Sequence, residues 1–511
     1  MTQEEPSENN VKKISGWIIW FFIAFINLLI IEALIFAIEP MWGDFNLYLD
    51  DFLGTIGFNY VLILVSIIAI PVIYCGGLVV YNLFKIVRSK PIKPNLFHKI
   101  ISIVVAVFFD FLLLILIVLF GEDAAIVSHL FLDFSIYFYM ILTVGLIILI
   151  PYIYKKIKTF SVSKGFTKIK GGIIVGIILV GYIFAFLLPF ILLPPNVVDE
   201  VPKKPKIIAH RGFSHIAPEN TEIAWKLALE NGSDGIEIDV QISYDGALFL
   251  MHDDSLKRTT NVKEKFPNKS NMDSSLFNLS QIEQLDAGTW FVERDPYRAI
   301  SEGLINQTLI NYYNNNVSIP TLIDAVNFCR DNNLILDVDF KYPPKSHPLY
   351  SDFFNLTLQT INVSGINQSL VWITSYNKTK LNFVNSTFPE MITALSVDAQ
   401  DPPTPNEFLE LGYDMINTHY GISNKVLKDY HSAGVVINLW TVDIPARFSQ
   451  LWCLGGDYIT TNEQHVFLGL TEPAWHLNTI SYYGVWLTIY IFGLSSVLIF
   501  IYSSKKAYKK D

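Results

Sequence analysis

The run Asp234-Gly-Ile-Glu237-Ile-Asp239-Val240-Gln-Ile-Ser-Tyr244-Asp245-Gly246-Ala247-Leu-Phe-Leu-Met-His252-Asp253 decides how the central part of this chain folds. Apolar Ile236, Ile238 and Val240 alternate with Glu237 and Asp239, the period of a strand whose two faces differ. Two carboxylates two residues apart share one face and repel each other unless a proton or a cation lies between them. A hard divalent ion with oxygen ligands, Ca²⁺ or Mg²⁺ in type, meets that requirement. The Asp245-Gly246 pair between two strand-like runs signals a hairpin. A two-residue loop there sets Tyr244 opposite Ala247 and Asp239 opposite His252, so a carboxylate and an imidazole would project from the same face.

Outward from this run, β-rich segments alternate with helix-like ones, at 207–210, 235–240, 334–340, 370–375, 392–397, 415–420, 435–442 and 458–461. Eight strands joined by crossovers predict a (β/α)₈ TIM-type barrel over 203–472, with its chemistry at the C-terminal strand ends. An open doubly wound sheet is the rival, disfavoured because no glycine-rich phosphate loop follows the first strand. The 255–318 stretch is longer than a compact connection and reads as an inserted subdomain over the site. Polar residues close the strands: His210-Arg211-Gly212 the first, Glu237-Ile-Asp239 the second, His252-Asp253 the returning arm, Asp339-Phe-Lys341 the third. Asp339 is thereby the candidate third metal ligand.

The flanks differ in kind. The chain is 51% hydrophobic and 14% aromatic, and the excess lies in six apolar runs at 15–38, 60–83, 101–120, 134–154, 172–193 and 480–502. Each meets the roughly 20 residues that a transmembrane helix needs. The first follows an acidic, polar tail and precedes no small-residue cleavage site, so it reads as a retained span. Cations mark alternate loops: Lys12 and Lys13; Lys85, Arg88, Lys90, Lys93 and Lys99; the lysines of 155–170; and those of 505–510. Under the positive-inside rule the tails 1–14 and 503–511 are cytoplasmic, five helices occupy 15–194, and the barrel is extracellular or lumenal. Ten Asn-x-Ser/Thr sequons fall between Asn231 and Asn385 and none elsewhere, which fits a glycosylated outer domain. The formal charge of −10 argues against a nucleic-acid partner. Cys75 lies in a span, and only Cys329 and Cys453 could pair outside. Glu32 and Asp110 stand within apolar runs, where a charge is either functional or neutralised by a neighbouring helix.

Ala-His210-Arg-Gly, Pro218-Glu-Asn-Thr221, Glu237-Ile-Asp239, Asp245-Gly, Met-His252-Asp, Leu285-Asp-Ala-Gly288-Thr-Trp-Phe291, Ile319-Pro-Thr-Leu322, Asp337-Val-Asp339-Phe-Lys341 and Trp440-Thr441-Val442 occur in an order that resembles the glycerophosphodiester phosphodiesterases. The resemblance covers nearly all of the outer domain. It implies His210 and His252 as an acid/base pair, Glu237 and Asp239 as metal ligands, and Arg211 and Lys341 on the phosphate. Imidazole titrates near neutrality, guanidinium offers a planar fork, and ammonium a point charge. Asn220 either donates to the phosphate or caps the helix that follows. Trp440 either stacks on the alcohol group or belongs to the core. The reaction implied is metal-dependent hydrolysis of glycerophosphodiesters such as glycerophosphocholine or glycerophosphoinositol, with Zn²⁺ as the alternative ion and either water or a neighbouring hydroxyl as nucleophile.

Four positions depart from the family's pattern: Asp339 where Glu is usual, Ile323 for Glu, Asp443 for Asn and Asn462 for Asp. The layout of five spans before the domain and one after is also that of the six-span animal members, and it leads us to expect the barrel mouth near membrane lipid. A phospholipase acting on lysophospholipids or glycosylphosphatidylinositol anchors is one rival function. A catalytically dead membrane receptor is another. The sequence leaves the oligomeric state open.

Overall fold

The computed structural model describes residues 20–29, 59–87, 94–119 and 183–507 continuously, with isolated residues and pairs outside them. Nine strands are present among the described residues: β1 Lys206–Ala209, β2 Gly235–Ile242, β3 Leu248–Leu250, β4 Ile335–Phe340, β5 Val371–Ser375, β6 Ile392–Val397, β7 Met415–His419, β8 Val436–Trp440 and β9 Tyr458–Thr461. Eight of them run parallel in the order β1-β9-β8-β7-β6-β5-β4-β2, and pairing of β1 with β2 closes the ring. Each of the eight expected strands appears within two residues of its expected bounds. The open-sheet rival is excluded by that closing pair.

Every residue of β2 is buried, and its alternation sorts the two faces. Ile236, Ile238, Val240 and Ile242 pack outward against the surrounding helices, where they join Trp225, Leu322 and Phe353 in the main core. Glu237 and Asp239 turn to the lumen instead. Parallel register then sets Glu237 beside Asp337 and Asp239 beside Asp339 on β4, so four carboxylates occupy one wall of the barrel.

The hairpin register differs from the expectation by one residue. Val240 pairs with Leu250 and Ile242 with Leu248, while the Ser243 amide donates to the Ala247 carbonyl. The loop is therefore three residues, Tyr244-Asp245-Gly246, with Gly246 at φ +91°, the left-handed position that such loops reserve for glycine. Asp239 faces Met251, not His252, as the hydrogen bond from the Met251 amide to the Asp239 carbonyl records. Pairing ends at Leu250, and a bend after the strand, not the ladder, directs His252.

The 255–318 segment forms short helices, among them Thr289–Arg294 and Gln307–Asn316. It has its own core of Phe277, Ile282, Phe291 and Tyr313, which packs on Phe249 and Met251 of the hairpin arm. Cys329 and Cys453 are separate, buried free thiols.

Of the flanking runs, helices span Tyr60–Val87, Leu96–Leu119 and Thr479–Ala507. Among the described residues one stretch, Tyr60–Asn82, is long and apolar enough to cross a membrane. Most of the expected run at 134–154 and parts of those at 15–38 and 172–193 lie outside the described residues, as do the expected tail at 1–14 and residues 508–511 of that at 503–511. Asn27 donates to Asp110 at 2.6 Å, which gives that acid a neighbouring helix as partner. Tyr482 and Tyr490 of the last helix donate to the carbonyls of Pro189 and Phe186 at 2.9 and 2.5 Å. Both connections to the barrel meet at its N-terminal strand ends: Lys204 Nζ donates to the Leu468 and Leu470 carbonyls just before β1 begins. The mouth, formed by the C-terminal strand ends, is at the opposite end of the barrel from these connections.

Candidate active site

A cavity of about 520 Å³ opens at the C-terminal strand ends, and His210, Arg211, Glu237, Asp239, His252 and Asp339 all line it. Lys341 and Trp440 line it too. Of the residues singled out from sequence, only Asn220 stands off this cavity. Thr221, not Asn220, caps the helix Glu222–Glu230 by accepting from the Ala224 amide. Asn220 instead donates its amide to Asp239 Oδ2 at 2.7 Å and accepts from the Asp239 backbone N–H at 3.2 Å, which fixes that carboxylate.

Local backbone geometry places the cationic group. Arg211 sits at φ +54° and Gly212 at +79°, and a Cβ on Gly212 would fall 2.7 Å from the Ala224 Cβ, so the turn admits only glycine there. The tight turn aims the Arg211 amide at Glu237 Oε2, 2.9 Å away, and its guanidinium at Glu219 and Asp239, at 3.2 and 3.3 Å. Lys341 Nζ bridges Asp239 Oδ1 and Asp339 Oδ2 at 3.2 and 2.8 Å.

Charge is unevenly matched across the carboxylates. Burial alone would raise Asp239, yet Arg211 and then Lys341, aided by Asn220, hold it below the usual carboxylate range. Glu237 has no such pair: burial first and Asp239 second push it well above its ordinary value. Asp337, raised by burial to about 7, accepts from the Thr374 hydroxyl at 2.6 Å. One oxygen from each of Glu237, Asp239 and Asp339 lies within 4.8 Å of the others. An unmatched negative charge, in an all-oxygen set that converges on the lumen, fits a hard divalent ion such as Ca²⁺ or Mg²⁺.

The two imidazoles differ in their support. Asn462 donates its Nδ2 to Asp443 at 2.6 Å, so its Oδ1 must be the atom facing His210 Nδ1 at 2.9 Å and the Ser214 hydroxyl at 2.5 Å. The His210 proton is thereby assigned to Nδ1, leaving Nε2 4.0 Å from Glu237 Oε2. Burial, then Arg211, lowers His210 to about 3, so it is neutral near pH 7. His252 Nδ1 instead meets the carboxylate of Asp253 at 2.8 Å. Arg258 of the inserted segment holds both oxygens of Asp253 and both of Glu219, at 2.7 to 2.8 Å. Glu219 is consequently held at about 2 despite its burial.

A model of the Glycerophosphoryl diester phosphodiesterase family matches residues 210–465, just over half of the chain. The chain belongs to that family. Glycerophosphodiester phosphodiesterase domain-containing protein 5 of Gallus gallus is 34% identical over 308 residues, 59% of this chain and 49% of that protein. Glycerophosphoinositol inositolphosphodiesterase GDPD2 of Mus musculus is 31% identical over 292 residues, 56% of this chain and 51% of that one. The chain thus matches about half the length of these relatives. The structure of an Oleispira antarctica phosphodiesterase in complex with the product sn-glycerol-3-phosphate aligns at 23% identity over 52% of this chain and 95% of that one, with a TM-score of 0.41.

Sequence reasoning gave no role to Glu219, Asp253, Arg258, Asp337 or the Asp443–Asn462 pair. Glu219 and Asp253 stand inside quoted motifs, so the signal was present. Arg258 lies in the insertion, where nothing in one sequence marks it. Two of the departures from the family's pattern turn out to be partners: Asn462 donates to Asp443 and presents its amide oxygen to His210.

Proposed function

We propose that this chain is a membrane-anchored, metal-dependent glycerophosphodiester phosphodiesterase that cleaves its substrate to an alcohol and a phosphomonoester outside the cytoplasm. The observation that carries the reading is the convergence of two differently supported imidazoles and a carboxylate trio on one cavity. A divalent ion held by Glu237, Asp239 and Asp339 would neutralise the phosphodiester and stabilise developing charge. Arg211 and Lys341 hold phosphate oxygens. His210, neutral with its proton on Nδ1, takes the nucleophile's proton at Nε2. His252, its Nδ1 fixed by Asp253, delivers a proton from Nε2 to the departing oxygen. Trp440, on the cavity wall, contacts the alcohol group.

The wider architecture in this proposal is a six-span chain with domains at 1–14, 15–194, 203–472, 480–502 and 503–511, its tails cytoplasmic. The charge alternation of the loops supports it. Nine of the ten sequon asparagines, all but Asn385, are exposed on the barrel domain, as glycan acceptors must be. The mouth opens away from the membrane connections, which favours water-soluble glycerophosphodiesters over phospholipids still seated in a bilayer. The detergent-solubilised full chain should therefore release glycerol 3-phosphate or a phosphorylated headgroup from glycerophosphocholine and glycerophosphoinositol, and do so faster than it attacks lysophospholipid. Preference for lysophospholipid would favour the phospholipase reading. Absence of turnover on every diester, with Ca²⁺, Mg²⁺ and Zn²⁺ each supplied, would leave the receptor.

A further inference from the structure

Beside the cavity just described, and outside it, lies a second convergence of ligand-type side chains. His215 follows β1, and Glu463 and His465 follow β9, so the closing strand pair brings the two segments together. One donor atom from each of the three lies within 4.8 Å of the other two. His215 Nδ1 is 2.7 Å from Glu463 Oε1, and His465 Nε2 is 3.7 Å from Glu463 Oε2.

These contacts are not a satisfied hydrogen-bond network. The His215–Glu463 approach lacks hydrogen-bond alignment, so His215 Nδ1 is a buried nitrogen with no hydrogen-bond partner. The His465 separation is too long for one. Donor atoms about 2.0–2.1 Å from a shared tetrahedral Zn²⁺ lie about 3.3 Å apart, a value that 2.7 and 3.7 Å bracket. Three donor atoms this close, with contacts that make no hydrogen bond, are what a metal site leaves when only its ligands are considered.

The surroundings keep the imidazoles in place. Tyr297, from the inserted segment, stacks on His215 with ring centres 5.3 Å apart, and Phe213 lies 5.5 Å from His465. The His465 side chain remains 28% exposed, which gives an ion access from solvent. Two nitrogens and one carboxylate form a borderline-soft set, unlike the all-oxygen trio in the cavity, and such sets select Zn²⁺ over Ca²⁺ or Mg²⁺.

We propose that His215, Glu463 and His465 form a second metal site, of Zn²⁺ class, that fastens the loop after β1 to the loop after β9. The site shares no residue with the carboxylate trio, and the inference stands whether or not the chain hydrolyses diesters. Tag-free full chain in detergent is stripped with chelator, loaded with Zn²⁺ or Co²⁺, cleared of free ion, and its bound metal counted by mass spectrometry. The Asp239→Asn/Asp339→Asn variant should retain one Zn²⁺ per chain, and adding His215→Gln and His465→Gln should remove it. Affinity should fall by more than the roughly 10–100-fold that loss of an outer-shell partner costs. Co²⁺ in the unmutated chain should show the visible bands of nitrogen-ligated tetrahedral cobalt, and the milder Glu463→Gln should weaken them. Retention of no Zn²⁺ by the carboxylate variant, or Co²⁺ bands absent or indifferent to Glu463→Gln, would overturn the proposal.

Discussion

Arg258 reaches from the inserted segment to two carboxylates at once, and Arg258→Met tests whether that segment organises the site. In the variant Glu219, whose side chain is 6% exposed, keeps only Arg211 at 3.2 Å. Asp253 is 28% exposed and rehydrates more readily, so Glu219 sets the loss. Its size follows by two routes. An acid held at about 2 in the fold, against 4.5 when free, contributes roughly 3 kcal/mol at neutral pH, a share of which belongs to Arg211. Removing one partner of a buried pair costs about 3–5 kcal/mol, less what rehydration returns. Both leave about 2–3 kcal/mol for Arg258. Because the folded value lies below the unfolded one, this stabilisation is complete above pH 4.5 and disappears as the pH falls toward 2. The parent and the variant should therefore differ most at neutral pH and converge in acid. Urea unfolding of the detergent-solubilised full chain, followed by tryptophan fluorescence, measures the difference. Arg258→Met/Glu219→Gln should recover most of it, since no buried charge is then left without its partner. A loss below about 1 kcal/mol, or a double variant no more stable than the single, would refute the reasoning.

Asn462→Asp sets a second carboxylate against Asp443 and should destabilise the fold by at least about 2 kcal/mol, while Asn462→Asp/Asp443→Asn restores the pair in its other orientation. The same unfolding curves decide, and equal losses in both would count against a paired exchange. His210→Ala and His252→Ala should each lower kcat about 10²–10⁴-fold with the unfolding midpoint retained. Parent-like turnover in either removes that histidine from the scheme. Chelation should silence turnover, and re-addition of Mg²⁺, Ca²⁺ or Zn²⁺ in turn should identify the working ion; full activity after exhaustive chelation contradicts a metal-dependent reaction. Expression in eukaryotic membranes should give a chain whose gel mobility increases on deglycosylation, and a chain that carries no glycan at any sequon would contradict the outward orientation.

How much of this was legible in the sequence depends on how local the signal was. Strand alternation is read from neighbours two apart, so all eight barrel strands could be placed, and Glu237 with Asp239 could be set on one face by spacing alone. Asp339 was reachable as well, as a carboxylate at a strand end, and parallel register sets it beside Asp239. The hairpin failed at one residue. Asp245-Gly246 is compatible with a two-residue or a three-residue loop, and the choice depends on Ser243, whose hydroxyl accepts from the Ala247 amide and donates to Asp245. A one-residue slip normally carries every side chain to the other face. His252 still reaches the cavity because the strand ends before it, and a register argument cannot foresee where pairing stops.

What one sequence could not show is pairing across long separations. Asn462 and His210 are 252 residues apart, and Arg258 and Glu219 are 39 apart through an insertion of irregular form. Asp443 and Asn462 illustrate the point most sharply. Taken singly, each was a departure that weakened the family resemblance; in the fold they form a hydrogen-bonded pair that presents the Asn462 amide oxygen to His210. The electrostatic consequence is specific: the partner of Nδ1 is a neutral oxygen, so burial and Arg211 act on His210 without an opposing charge directly behind it. His252 has that charge, in Asp253. The acid and base roles proposed for the two imidazoles therefore rest on an asymmetry that neither motif contains alone, and that arises only when the barrel closes β9 onto β1.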